Sequence, residues 1–356
     1  MTRAPNKAPA GPVAKVPRHE AFRELAKTIE AAPRGVVPIL GSGFVTQAVM
    51  SGAVMLPRDA KAEPRTKPVD WISLLLGVAT EFECEAALRH IHADVPGQTT
   101  LLWDAMVAEL ARRSSVASKR TAAAHRWETK MRRSVAKRLA GDVSTNTFSR
   151  PFVDSFLRLG WDDVLTFNFD SVLLPPLAKP TMRSTGVGAR ASLSCAIEGS
   201  SKSDHRRTHV WFPHGHLSDP DSIVLGAHAY GGRIAAMQSA FDAHASKAAP
   251  RPRHELPSWV GVTLERPLLF VGLSLTREEW TIWWLLSQRA RFLARRKSPP
   301  PVYVFARRPA SAEKLEAHAA FQTLARACDL LGLTLLSFDD FKEGWKALRD
   351  ALGWPE

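Results

Sequence analysis

Four short apolar runs punctuate the chain, and each stops abruptly at glycine or polar residues. Residues 35–40 (GVVPIL) end in Gly41-Ser42-Gly43 and continue through Phe44 into residues 45–49; residues 163–167 lead into Asn168 and Asp170. Residues 209–213 end in His214-Gly215, and residues 267–271 end in Gly272-Leu273-Ser274. Short runs of this kind, rich in β-branched and aromatic residues and bounded by turn formers, predict buried strands. The first reads as strand, glycine turn, helix. Two further strands, 302–306 and 333–338, alternate with helical patterns over 278–294, 312–330 and 340–352. Strands that alternate with helices predict an α/β fold, a Rossmann-like parallel sheet flanked by helices. In such sheets ligands bind beyond the carboxyl ends of the strands, which is where all four polar strand ends would meet.

Between the first and second strands lie helical patterns at 71–88, 100–112 and 122–139, read as a helical insertion over about 65–150. Residues 181–205, rich in Ser, Gly, Arg and Thr, read as a mobile loop. Residues 1–30 read as a flexible leader and 31–356 as one unit with no space for a separate C-terminal domain. Trp280, Trp283 and Trp284 at helical spacing read as core, and His216 and His228 as surface or loop histidines.

Composition narrows the function classes. Hydrophobic residues at 45% and charged residues at 23% fit an ordinary globular chain. No apolar stretch reaches the roughly 20 residues of a membrane helix, so neither a membrane anchor nor membrane binding is expected. The opening residues lack the apolar centre of a signal peptide, and Cys84, Cys195 and Cys328 lie too far apart for a zinc pair or a disulfide framework. These features predict a cytoplasmic protein without a bound metal. The net charge of +13 is concentrated in residues 111–138, which hold ten Lys or Arg against the single acid Glu128. There Arg126, Lys130, Arg133 and Lys137 recur along one helical face, either a solvated surface or a face for nucleic acid or an acidic partner.

The four strand ends together resemble the bacterial sirtuin-like proteins of antiphage defence. Gly41-Ser42-Gly43-Phe44 is similar to the family's Gly-Ala-Gly-Phe/Ile, and Thr166-Phe167-Asn168-Phe169-Asp170 to its Thr-Thr-Asn-Tyr-Asp. His214-Gly215, followed by Tyr230, resembles the His-Gly block, and Gly272-Leu273-Ser274-Leu275-Thr276 the Gly-Tyr-Ser segment. Val45 replaces a small residue, and Arg277 stands where the family has Asp, with Glu278 next to it as a substitute carboxylate. The paired cysteines of the deacetylating members are missing, which argues against their zinc module. The resemblance implies NAD as substrate. Gly41, Ser42 and Gly43 would cradle the pyrophosphate, Ser274 would reach the adenosine ribose, and Phe44, Thr166, Gly215 and Gly272 would complete the nucleotide-binding set. It also implies a homo-oligomer that works beside a partner ATPase, of the hexameric DNA-translocase type, or another activator.

Breaking the nicotinamide–ribose bond builds oxocarbenium character on the sugar, which calls for an oriented polar group and a nearby base. Asn168 and His214 suit those two roles, with Asp170 orienting the nicotinamide amide or bracing the loop. The expected activity is NAD glycohydrolysis. The alternatives are ADP-ribosyl transfer, an NAD or ADP-ribose sensor without catalysis, and a nucleic-acid binder led by the basic helix.

Overall fold

The computed structural model describes residues 18–50, 71–86, 88–89, 99–113, 116–141, 146–174, 182–185, 187–195, 206–246, 258–275 and 279–354. Eight strands form one sheet: β1 (Val37–Leu40), β2 (Asp163–Thr166), β3 (Met182–Thr185), β4 (Gly188–Cys195), β5 (Arg206–Phe212), β6 (Leu268–Val271), β7 (Val302–Arg307) and β8 (Thr334–Phe338), in the order β3-β4-β5-β2-β1-β6-β7-β8. From β5 to β8 every neighbour is parallel, with Ile39 of β1 opposite Leu165 of β2 and Phe270 of β6. The chain winds outward from β1 through β2 to β5, then returns to the other side of β1 at β6. This is the doubly wound order, and it reverses between β1 and β6.

The helices are α1 (Arg18–Ala31), α2 (Gly43–Met50), α3 (Trp71–Glu81), α4 (Thr99–Arg112), α5 (Arg120–Gly141), α6 (Asn146–Leu157), α7 (Gly226–Ala245), α8 (Trp259–Glu265), α9 (Trp280–Leu293), α10 (Leu315–Leu331) and α11 (Phe341–Leu352). Side chains alternate across each strand and feed two cores. Leu40, Val164, Val210, Val271, Phe305 and Phe338 face one side, under α1, α2, α6 and α11. Val37, Ile39, Leu165, Trp211, Phe270 and Val304 face the other, under α7, α8, α9 and α10. Strands covered on both faces must be apolar at nearly every position, which is why continuous runs marked them in the sequence.

A third core, Leu75, Val78, Leu102, Trp103, Met106, Met131 and Val135, joins α3, α4 and α5 into the helical insertion. Trp71 meets Phe169 edge-on at 5.7 Å, and Ala136 packs with Phe169 and Ile223, so the insertion rests on the loops that leave β2 and β5.

Three expectations change. Residues 18–30, read as leader, belong to α1, whose Ala21 and Leu25 are buried in the first core. Part of 181–205, read as a loop, is the antiparallel pair β3 and β4, which extends the sheet from β5. An antiparallel pair needs no continuous apolar run, because such strands can leave one face to water; residues 181, 186 and 196–205 lie outside the described residues. Trp283 and Trp284 pack against the second core, but Trp280 is 46% exposed at the start of α9. Among the described residues no helix is long and apolar enough to cross a membrane, and no three His, Cys, Asp or Glu come together to hold a metal.

Candidate functional site

The carboxyl ends of β5, β2, β1 and β6 lie side by side. At the reversal point the glycine loop after β1 lies against the loop after β6. The Gly41 amide donates to the Val271 carbonyl (3.0 Å), Gly43 to the Gly272 carbonyl (2.9 Å) and Phe44 back to Gly41 (3.0 Å). A Cβ on Gly41 would sit 2.7 Å from Leu273 Cγ, and Gly272 holds φ +72. These glycines therefore serve first to let two backbones touch. With three amides spent inside the protein, the polar groups this corner turns outward are the exposed Ser42 and Ser274. Phe44 is core, in ring contact with Phe152, Phe156 and Trp345. Thr276, Arg277 and Glu278 lie outside the described residues.

On the other side, β2 and β5 deliver Asn168 and His214. Buried Thr166 takes the Asn168 amide on its hydroxyl (3.1 Å), which fixes the turn out of β2 and leaves Asn168 half-buried. Asp170 accepts the Val172 amide at 3.0 Å, so the contact it makes braces its own loop. The two loops are tied where the Leu217 amide donates to the Phe169 carbonyl at 2.9 Å. His214 is 3% exposed, held edge-on between Phe167 (4.8 Å) and Tyr230 (5.0 Å). Its Nε2 pairs with Thr281 Oγ1 of α9 at 2.9 Å. Gly215, at φ +93, lets the loop fold back so that the Val224 amide reaches the His214 carbonyl at 2.8 Å. His216, expected at the surface or in a loop, is in the loop but buried, bonded to Ser171 Oγ (3.2 Å) and Ser218 Oγ (2.8 Å); His228 is exposed.

Burial sets the charges here. Desolvation, then the positive charge of Arg233, lowers the His214 pKa to about 3. Desolvation lowers that of His216 to about 4, and desolvation raises the Asp170 carboxyl above its ordinary value. His214 is thus neutral at physiological pH, free to accept a proton but weakly basic, unlike the near-neutral titration its residue type suggested. Once unfolded, both imidazoles gain a proton near the ordinary value of 6.5. Below that pH the unfolded chain binds more protons than the folded one, so stability falls as pH drops, by about 1.4 kcal/mol per pH unit per imidazole until the folded-state values are reached. Urea midpoints measured from pH 7.5 down to 5 should fall accordingly, and a midpoint constant over that window would contradict the burial of both rings as neutral groups.

The sequence reading missed Thr281 and Arg233. Thr281 sits in a Trp-rich helix whose pattern speaks of packing, and Arg233 in a helix that carried no motif. The basic stripe does form: Arg126, Lys130, Arg133 and Lys137 are all exposed on α5, with Arg133 3.9 Å from Asp221. Their neighbours Arg132 and Arg138 are instead turned to Glu128 (2.6 Å) and Glu81 (2.9 Å).

Residues 162–325, just under half of the chain, match a family model described as a SIR2-like domain. The match supports a sirtuin-like family for this segment, which runs from β2 through most of α10 and holds Asn168, His214, Gly272 and Ser274 but not the glycine loop after β1. A comparison with curated proteins gives no match.

Proposed function

We propose that the protein hydrolyses NAD at the nicotinamide–ribose bond, releasing nicotinamide and ADP-ribose. The observation that carries this reading is the placement, at the ends of the adjacent strands β2 and β5, of half-buried Asn168 and a buried His214 whose basicity is lowered. Both lie in the segment similar to a SIR2-like domain, a domain type that points to NAD. In the reaction the bond from the ribose anomeric carbon to the pyridinium nitrogen breaks, and its electron pair neutralises the ring. Water forms the new bond to that carbon and gives up one proton. Asn168 orients the water or the ribose hydroxyls against the positive sugar, and His214 takes the proton. Because the imidazole is weakly basic, it contributes placement more than driving force. Asp170 holds the Asn168 loop in shape, Thr166 and Gly215 set the two turns, and Ser42 and Ser274 meet the phosphate and adenosine ends above Gly41, Gly43, Phe44 and Gly272.

Thr281 is a positioning residue in this scheme, since its hydroxyl fixes the His214 ring through Nε2. Thr281→Val is expected to lower kcat about ten-fold with KM little changed, within the range of a supporting hydrogen bond. Thr281→Ser should restore it. A valine variant with unaltered kcat would remove the role.

The imidazole is 3% exposed and packed between Phe167 and Tyr230, so a sugar that reaches it would have to displace part of this packing. That suits an enzyme held inactive until assembly as a homo-oligomer or contact with a partner ATPase, the arrangement of an NAD-depleting antiphage effector. Purified protein should then be slow alone. Full turnover without any partner would end the gating proposal. Incubation with labelled NAD separates hydrolysis from transfer: free ADP-ribose as the sole labelled product supports hydrolysis, and label on protein or nucleic acid overturns it.

A further inference from the structure

One turn along α7 from Tyr230, whose ring packs on His214, stands a cation, Arg233, with no counter-charge among the described residues. The Nε of Arg233 is buried and meets no hydrogen-bond acceptor, and among the described residues no ion pair joins its guanidinium to a carboxylate. The charge that acts on it belongs to a second arginine, Arg132 of α5. Arg132 reaches inward from the helical insertion. Its Nη2 donates to Glu128 Oε1 at 2.6 Å and its Nη1 to the Asp221 carbonyl at 3.3 Å, while its own Nε is likewise buried without an acceptor. Asp221 belongs to the segment that returns to His214 through the Val224 amide. Two guanidinium groups from different helices thus flank the His214 loop; the one carboxylate, Glu128, is paired to Arg132, and two buried N–H donors, one on each arginine, are left unanswered.

Buried donors and like charges placed together oppose folding, and such an arrangement is explained when an anion completes it. Guanidinium forks match phosphate oxygens in pairs, and two forks arriving from different helices suit a tetrahedral, doubly charged acceptor. We propose that Arg233 and Arg132 form an anion subsite beside His214 that binds a phosphate group, separate from the glycine loop after β1. Only the identity of the nucleotide rests on the NAD reading; the anion chemistry does not.

The test uses the full-length protein with inorganic phosphate as the probe, titrated at constant ionic strength against chloride and followed by thermal shift and calorimetry. Phosphate should stabilise the protein saturably. Arg233→Gln should weaken its binding at least ten-fold with an unchanged circular dichroism spectrum, and Arg132→Gln, which leaves Arg233 in place, should weaken it as well. No saturable effect of phosphate, or equal binding by both variants, would overturn the subsite. Adding ADP-ribose distinguishes the sources: displacement of phosphate assigns the subsite to the phosphates of the dinucleotide, and simultaneous binding assigns it to free orthophosphate. The two readings fail separately. Arg233-dependent phosphate binding without NAD cleavage under any condition removes the hydrolase and keeps the subsite, whereas NAD cleavage without that binding does the reverse.

Discussion

Replacing Gly272 by alanine is expected to cost about 3 to 5 kcal/mol of folding stability, a large share of what a domain of this kind holds. Two penalties combine. The residue sits at φ +72, a conformation that L side chains adopt with strain, and a Cβ there would lie 2.5 Å from the Gly43 carbonyl carbon, between the two loops at the reversal of the sheet. Neither loop can retreat freely, because the Gly43 amide is bonded to the Gly272 carbonyl. Gly332 isolates the first penalty: it has a similar φ of +67 after α10, but a Cβ there would meet nothing within 4 Å. Gly332→Ala should therefore cost only about 1 kcal/mol. Urea unfolding of both variants measures the difference. Equal losses would mean that the close approach of the β1 and β6 loops does not bear on stability.

His214→Ala is expected to lower turnover by about 10²- to 10⁴-fold, the usual contribution of a positioned proton acceptor. It should also reduce stability, since it removes a ring packed between Phe167 and Tyr230 and leaves the buried Thr281 hydroxyl without its partner. Leaving such a buried group unsatisfied costs about 1 to 3 kcal/mol. Activity is therefore best compared at a temperature where both proteins are fully folded. Asn168→Ala is the cleaner companion. Asn168 is half-buried, and its amide bond to Thr166 belongs to the backbone, so the substitution takes away the side-chain amide and leaves the turn intact.

Much of the fold is legible in the chain because a strand covered on both faces must be apolar throughout. Strands β1, β6 and β7 announce themselves in this way, and each begins and ends within two residues of its expected bounds. The pair β3 and β4 escapes the same test, since antiparallel strands rich in Arg, Ser, Ala and Gly carry the signature of a loop. Helix α1 does carry a helical stripe, Ala21, Phe22, Leu25, Ala26 and Ile29, which the proline- and lysine-rich residues before it obscured; α11 and β8 lie against it and make it core. At the site, the strand-end residues were readable from local punctuation. What surrounds them was not, because it arrives from far along the chain. Thr281 lies 67 residues from His214, and Trp71 reaches Phe169 from the insertion. The depressed basicity of His214 and His216 follows from that burial, so no reading of residue type could supply it.

The most direct test of NAD hydrolysis is to follow nicotinamide and ADP-ribose from NAD incubated with the wild-type protein, with His214→Ala and with Asn168→Ala, each alone and with the proposed partner ATPase. Equal release of both products by the wild type, lost in both folded variants, is the predicted result. Undiminished release by either variant, or NAD bound and never cleaved under any condition, would contradict it, and the second outcome would make this chain a nucleotide sensor.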